Sequence, residues 1–159
     1  MKPTAAVLTI SDSSAKGLRQ DASGPALRRV LEEAGFEIIH SQTVPDDVQA
    51  ITAALVDCAQ RVRFVVTTGG TGVGPRDVTP EATRSVCDRL LDGVAQRMRA
   101  EGAKHTMYAA LSRGVCGTRG TSLILNLPGN PAGAEQSLKS VLDLVPHALD
   151  LLAGKTEHK

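Results

Sequence analysis

The spacing of apolar positions changes repeatedly along the chain, and each change marks an element. Residues 5–10 (AAVLTI) form a short, nearly continuous apolar run that ends in Ser11, Asp12 and Ser13. That is the pattern of a strand buried on both faces and followed by a polar loop. Leu27, Val30, Leu31 and Ala34 then recur at helical spacing, with Pro25 suited to a first turn and Gly35 to a left-handed cap. Residues 36–44 predict a second strand. Pro45, Asp46 and Asp47 lead from it into Val48, Ile51, Ala54, Leu55 and Cys58, one face of a helix for which Asp46 is a natural N-cap.

Residues 64–68 (FVVTT) predict a third strand, which opens directly into Gly69, Gly70, Thr71, Gly72, Val73, Gly74 and Pro75. For the following helix, Thr79 is placed to cap, Pro80 to take the first position and Glu81 to meet the positive end of the dipole. Residues 95–103 read as helix, and 106–111 fit neither period. Residues 121–127 (TSLILNL) predict a late strand. Pro128, Gly129, Asn130 and Pro131 turn the chain into a helix with Ala134, Leu138, Val141, Leu142 and Val145 on one face, which Pro146 breaks. A short helix at 149–152 and a frayed charged tail at 155–159 complete the reading.

Alternating strands and helices predict an α/β fold of three layers, αβα, with an open, mostly parallel sheet and helices on both faces. Residues 1–154 are expected to form a single domain with no further domain attached. Four loops of unusual composition each follow a predicted strand: 11–13, 45–47, 69–77 and 126–131. Open parallel sheets bind ligands beyond the carboxyl ends of their strands, so these loops are expected to share one rim.

Composition narrows the ligand. Among 159 residues, 18 basic side chains balance 17 acidic ones, and there are two Phe, one Tyr and no Trp. Neither a strong positive field nor a set of stacking rings is available, so nucleic-acid binding is not expected. No secretory leader or membrane-length apolar run is visible, which predicts a cytoplasmic protein that does not enter membranes. Cys58, Cys87 and Cys116, and His40, His105, His147 and His158, lack the spacing of a disulfide framework or zinc site, so reduced thiols and no transition metal are expected.

The glycine loop carries the clearest chemistry. Four glycines among positions 69–74 let backbone N–H groups surround an anion, and the next helix points its positive end there, so phosphate is the expected guest; a tight structural turn is the alternative. Pro75 stands where a Walker loop needs Lys, and the spacing misses the GxGxxG fingerprint. Asp77 would repel phosphate unless a hard cation such as Mg²⁺ stood between them; otherwise it is a solvated loop residue or a helix-start acid. Asp46 supplies a second carboxylate if its loop shares the rim, or merely caps a helix. Ser11 and Asp12 read as contacts or a solvated turn, Arg76 as a phosphate partner or an exposed loop cation, and the turn at 128–131 as a backbone-lined wall or a helix start.

Taken together, Thr67, Thr68, Gly69, Gly70, Thr71 and Gly72, the run from Arg76 to Ala82 (RDVTPEA), and Asn126 to Pro131 (NLPGNP) closely resemble the two signatures of the MoaB/Mog family of molybdenum-cofactor biosynthesis proteins. Ser11-Asp12, Pro45-Asp46-Asp47 and Leu111-Ser112-Arg113 extend the resemblance over nearly the whole chain, from about residue 5 to 152. It implies a molybdopterin adenylyltransferase that joins AMP from Mg-ATP to the terminal phosphate of molybdopterin and releases pyrophosphate. It further implies a homo-oligomer, trimer or hexamer, and a molybdate-inserting partner enzyme. The family's essential acids fall on Asp46 and Asp77, as catalytic residues and as ligands of Mg²⁺. Substrate contacts fall on Ser11, Asp12, Gly69, Gly70, Thr71, Gly72 and Thr79, and on Ser112, Pro128, Gly129, Asn130 and Pro131. The chain departs from the family at two points, with Ser13 where Arg is frequent and Asn130 where Ser is frequent. Two other functions fit the same residues: a non-catalytic molybdopterin carrier, and a flavin binder using 11–14 as its phosphate loop, which the scarcity of aromatics disfavours.

Overall fold

Continuous apolar runs and period-3.6 stripes become alternating strands and helices in the computed structural model, which describes residues 1–156. The strands are β1 (Thr4–Ile10), β2 (Glu37–Val44), β3 (Phe64–Thr68), β4 (Arg89–Leu90), β5 (Cys116–Arg119) and β6 (Ser122–Leu127). The helices are α1 (Asp12–Ala15), α2 (Ser23–Glu33), α3 (Val48–Arg61), α4 (Thr79–Val86), α5 (Asp92–Gly102), α6 (Pro131–Val141) and α7 (Val145–Leu152). Short 3₁₀ helices occupy Met107–Leu111 and Leu142–Leu144.

One six-stranded sheet runs in the order β2-β1-β3-β6-β5-β4. Pairings β1–β2, β1–β3 and β3–β6 are parallel; β5 runs antiparallel to both β6 and β4. Because successive side chains point to opposite faces, the continuous apolar runs fill two cores. On one face Ala5, Val7, Phe64, Val66, Leu123 and Leu125 pack with Leu27 and Leu31 of α2, Leu138 of α6 and Val145 of α7. On the other, Ala6, Leu8, Val65 and Ile124 pack with Ile51 and Leu55 of α3 and Ala82 and Val86 of α4. These are the three layers expected. The carboxyl ends of β1, β2, β3 and β6 therefore emerge side by side.

Local details depart from the sequence pattern in several places. Asp47, not Asp46, caps α3: its backbone is extended and its Oδ2 accepts from Ala50 N–H at 2.8 Å. Thr79 does not cap α4 but is its first residue, its hydroxyl drawn instead to the Gly69 carbonyl. The ambiguous stretch 106–111 is the first 3₁₀ turn, and short β4 and β5 extend the sheet where no strand was expected. The break after α6 comes at residues 142–144, and Pro146 sits in the first turn of α7, where its missing N–H costs nothing. Of the tail expected to fray, Lys155 donates its N–H to Asp150 O at 2.9 Å, and residues 157–159 lie outside the described residues.

Candidate active site

Loops leaving β1, β2, β3 and β6 are tied to one another. Ser11 N–H donates to Val44 O, Asp12 N–H to Asp46 Oδ2 at 2.9 Å, and Asp46 N–H back to Asp12 Oδ1 at 3.0 Å. Gly69 N–H donates to Leu127 O, and the Thr68 hydroxyl to Pro128 O at 2.8 Å. All four candidate loops thus meet at one rim. Glycine is obligatory at the junction. Gly69 has φ of +102° and Gly70 of +68°. A Cβ on Gly69 would collide with the Ile10 carbonyl; one on Gly70 would collide with the Thr79 hydroxyl and come within 3.1 Å of Asp46 Oδ1.

Within the glycine loop, carbonyls and amides are sorted. The Gly69 carbonyl accepts from Thr79 Oγ1 and the Gly70 carbonyl from Thr79 N–H, while Thr71 and Gly72 accept from Arg113 and Gly74 accepts from Asp77 N–H. Among the described residues, by contrast, the N–H groups of Gly70, Thr71, Gly72 and Val73 have no protein acceptor. Thr71 is only 5% exposed. Gly70 and Gly72 are half-buried and Val73 is exposed; several amides without a protein acceptor in one loop form a receptor for anionic oxygen.

Acidic groups crowd the same place. Partial burial pushes the Asp46 carboxyl above its ordinary value, and the nearby charges of Asp12 and Asp77 push it the same way. Asp12 is held below its ordinary value by Arg76, whose Nε and Nη2 reach its two oxygens at 3.0 and 3.1 Å. Arg76 is thus paired with Asp12 at the rim. Asp77 accepts from Gly74 N–H with Oδ2 at 2.9 Å, leaving no protein donor on Oδ1 among the described residues. Carboxylates that repel each other beside unpaired amides suit a hard cation shared with a phosphate, and so fit Mg²⁺, which takes few protein ligands and completes its shell with water and phosphate oxygens.

Two cavities flank the turn at 128–131. One of about 600 Å³ is lined by Met98, Tyr108, Ser112, Asn126, Pro128, Asn130 and Gln136 among others. A more polar one of about 340 Å³ is lined by Ser11, Ser14, Asp21, Thr68, Gly69, Gly129, Asn130 and Pro131. Asn130 borders both and also caps α6, its Oδ1 accepting from Gly133 N–H at 3.0 Å. Asp46 and Asp77 line neither cavity, but Gly69, at the start of the glycine loop, lines the smaller one.

The family described as "Probable molybdopterin binding domain" matches residues 6–147. The chain belongs to this family. It is 40% identical over 152 residues to the molybdopterin adenylyltransferase of Helicobacter pylori strain J99, covering 93% of this chain and 86% of that one. It is 42% identical to the molybdenum cofactor synthesis protein cinnamon of Drosophila melanogaster, over 94% of this chain but only 25% of that protein. The crystal structure of the molybdopterin biosynthesis enzyme MoaB from Thermus thermophilus superposes with a TM-score of 0.90 at 48% identity, covering 96% and 98% of the two chains.

In this molybdopterin-binding-domain chain, spacing alone left several residues without their partners. Arg113 was visible only as part of a segment, yet it contacts the loop at 71–77 and Glu81. Nothing in its local pattern points across 36 residues to Asp77. Asn126 looked like the start of a rim loop but is 1% exposed and bonded to Thr67 and Thr83. The scattered His and Cys residues also converge once: ligand atoms of His40, Asp57 and Cys58 lie within 4.8 Å of one another. Asp57 is paired with Arg61 and His40 with Gln42, and burial pushes the Cys58 thiol up to about 11, so its sulfur is protonated at neutral pH.

Proposed function

We propose that the protein is a molybdopterin adenylyltransferase, a nucleotidyltransferase of molybdenum-cofactor biosynthesis that joins AMP from ATP to the terminal phosphate of molybdopterin and releases pyrophosphate. One observation carries the reading: four acceptor-less amides at 70–73 lie in a loop bounded by Asp46 and Asp77, the arrangement that two reacting phosphates and a divalent ion require. Similarity to a protein of that name over 93% of the chain supports it.

An oxygen of the molybdopterin phosphate forms a bond to the α-phosphorus of ATP as the bond from that phosphorus to the bridging oxygen breaks, and pyrophosphate takes the displaced electron pair. Both reactants are anions, so the protein's task is alignment and charge neutralisation rather than covalent catalysis. Gly70, Thr71 and Gly72 donate amides to phosphate oxygens, while Thr79 draws the carbonyls of Gly69 and Gly70 away from them. Asp46 and Asp77 would hold Mg²⁺, which supplies positive charge to the reacting phosphates. Ser11, Asp12, Ser112 and the turn from Pro128 through Gly129 and Asn130 to Pro131 form the substrate walls.

Purified protein given molybdopterin, Mg²⁺ and ATP should release pyrophosphate and yield adenylylated molybdopterin. Pterin binding without pyrophosphate would make it a carrier instead. The same reading includes a homo-oligomer, trimer or hexamer, for which Met107, Tyr108 and Leu111, 79%, 69% and 53% exposed on one 3₁₀ turn, offer an apolar surface; light scattering gives the number. It also includes a cytoplasmic location and transfer of the product to a molybdate-inserting enzyme. Among the described residues no helix is long and apolar enough to cross a membrane.

A further inference from the structure

Arg113 makes three side-chain hydrogen bonds near the rim, and the proposed roles of Asp46 and Asp77 leave it unexplained. It leads from the 3₁₀ turn into β5. Its own N–H donates to Thr71 O at 2.8 Å. Its Nε donates to Gly72 O at 2.7 Å, its Nη2 to Asp77 O at 2.9 Å and its Nη1 to Glu81 Oε2 at 2.7 Å. One residue thus grips both ends of the segment 71–77 and the first turn of α4. A planar guanidinium with a fixed fork of donors can do this; an ammonium, with its donors on a single atom, cannot span the same three oxygens.

The direction of these bonds matters. A peptide unit points its C=O and N–H to opposite sides, so drawing the carbonyls of Thr71 and Gly72 toward Arg113 turns the amides of Gly72 and Val73 away from it, where they have no protein acceptor. Thr79 likewise draws the carbonyls of Gly69 and Gly70, and the amides of Gly70 and Thr71 have no protein acceptor. Gripping Asp77 by its carbonyl also sets where its carboxylate leaves the backbone. We propose that Arg113 is a positioning residue: it holds the glycine loop in the form whose amides receive a phosphate and whose Asp77 carboxylate faces the same guest, without itself touching substrate. Resting on the transferase reading for its activity readout, the inference has a second readout that does not.

Arg113→Gln, Arg113→Lys and Glu81→Gln separate the clamp from the ion pair. Glu81→Gln removes the charge that anchors Nη1 but leaves the bonds to Gly72 and Asp77, so its kcat/KM should stay within about threefold of wild type. Arg113→Gln should lose about a hundredfold, the size expected when reacting groups are misplaced by roughly an ångström, and Arg113→Lys should recover only a small part of it. Calorimetric titration with inorganic pyrophosphate and Mg²⁺ should show at least about tenfold weaker binding to Arg113→Gln than to wild type or Glu81→Gln, with circular dichroism confirming that each variant is folded.

Equal losses in Glu81→Gln and Arg113→Gln would assign the effect to the ion pair and overturn the clamp, as would an Arg113→Gln variant within about threefold of wild type in both rate and pyrophosphate affinity. If wild type binds pyrophosphate but transfers no adenylate, the transferase reading falls while the titration still decides the clamp. If wild type binds no pyrophosphate, the loop receives no phosphate and the clamp is overturned with it.

Discussion

Asp12 and Asp46 exchange hydrogen bonds: each N–H donates to the other's carboxylate, at 2.9 and 3.0 Å, fastening the loop after β1 to the loop after β2. Asp46 thus plays two parts that substitutions can separate. Asparagine retains an oxygen for the Asp12 amide but loses the charge offered to a cation. Asp46→Asn should therefore cut the rate of pyrophosphate release about 10²–10³-fold while leaving the unfolding midpoint nearly unchanged. Asp46→Ala should lose the tie as well, about 1 kcal/mol or roughly 2–4 °C in Tm. An Asp46→Asn enzyme retaining more than about a tenth of wild-type activity would remove Asp46 from the catalytic pair, since a loss below tenfold is less than about 1.4 kcal/mol of barrier.

Arg113 also predicts a pH effect on stability. Its hydrogen bond to Glu81 holds that carboxyl below the ordinary 4.5. A carboxyl whose folded pKa is depressed contributes stability that is fully present above its unfolded value and is lost as pH falls through the folded one. Glu81 is 49% exposed, so solvent screening limits the pair to about 0.5 kcal/mol. Thermal scans from about pH 6 to pH 3 should show the Tm gap between wild type and Glu81→Gln narrowing below about 4.5 and shrinking in high salt. A gap that widens on acidification would mean the pair does not stabilise the fold.

Strands β1, β3 and β6 were legible because burial on both faces demands continuous apolar runs, and the rim followed because parallel strands deliver their carboxyl ends together. Side-chain partners across the rim were not. Asp46 and Asp47 are adjacent acids before one helix, and sequence cannot tell which caps it; the structure gives the cap to Asp47 and turns Asp46 toward a loop 34 residues away. Thr79 likewise matches an N-cap pattern, but the Gly69 carbonyl competes for its hydroxyl. Strands β4 and β5 were missed because at two and four residues they are too short to establish a period.

Gly69 offers a test of the junction itself. Alanine there must hold φ of +102° and place a methyl against the Ile10 carbonyl, so Gly69→Ala should cost about 2–3 kcal/mol, roughly 5–10 °C in Tm. Gly93 in α5 is the control, because an added Cβ there meets nothing within 4 Å and its φ is not positive. Gly93→Ala should be neutral or stabilise by about 0.5 kcal/mol. Similar midpoints for the two variants would mean that the strand-end junction relaxes freely and that glycine is not needed there.

Asn126 and Asn130 stand four residues apart in the NLPGNP motif, yet opposite effects are expected from losing them. Asn126 is 1% exposed; its Nδ2 donates to the hydroxyls of Thr67 at 3.0 Å and Thr83 at 2.9 Å, and its Oδ1 accepts from Val115 N–H at 3.2 Å. It binds β3, β6, α4 and the approach to β5 in one buried network beneath the rim. Asn126→Ala strips partners from a buried amide and two hydroxyls and opens a void, a cost of about 3 kcal/mol and roughly 6–12 °C in Tm. Asn130 is exposed and borders both cavities, so Asn130→Ala should remove only an N-cap, about 1 kcal/mol, while raising KM for at least one substrate. Thermal unfolding and steady-state kinetics on the two variants decide the matter: if Asn130→Ala lowers Tm as much as Asn126→Ala, the buried network is not what holds the rim in place.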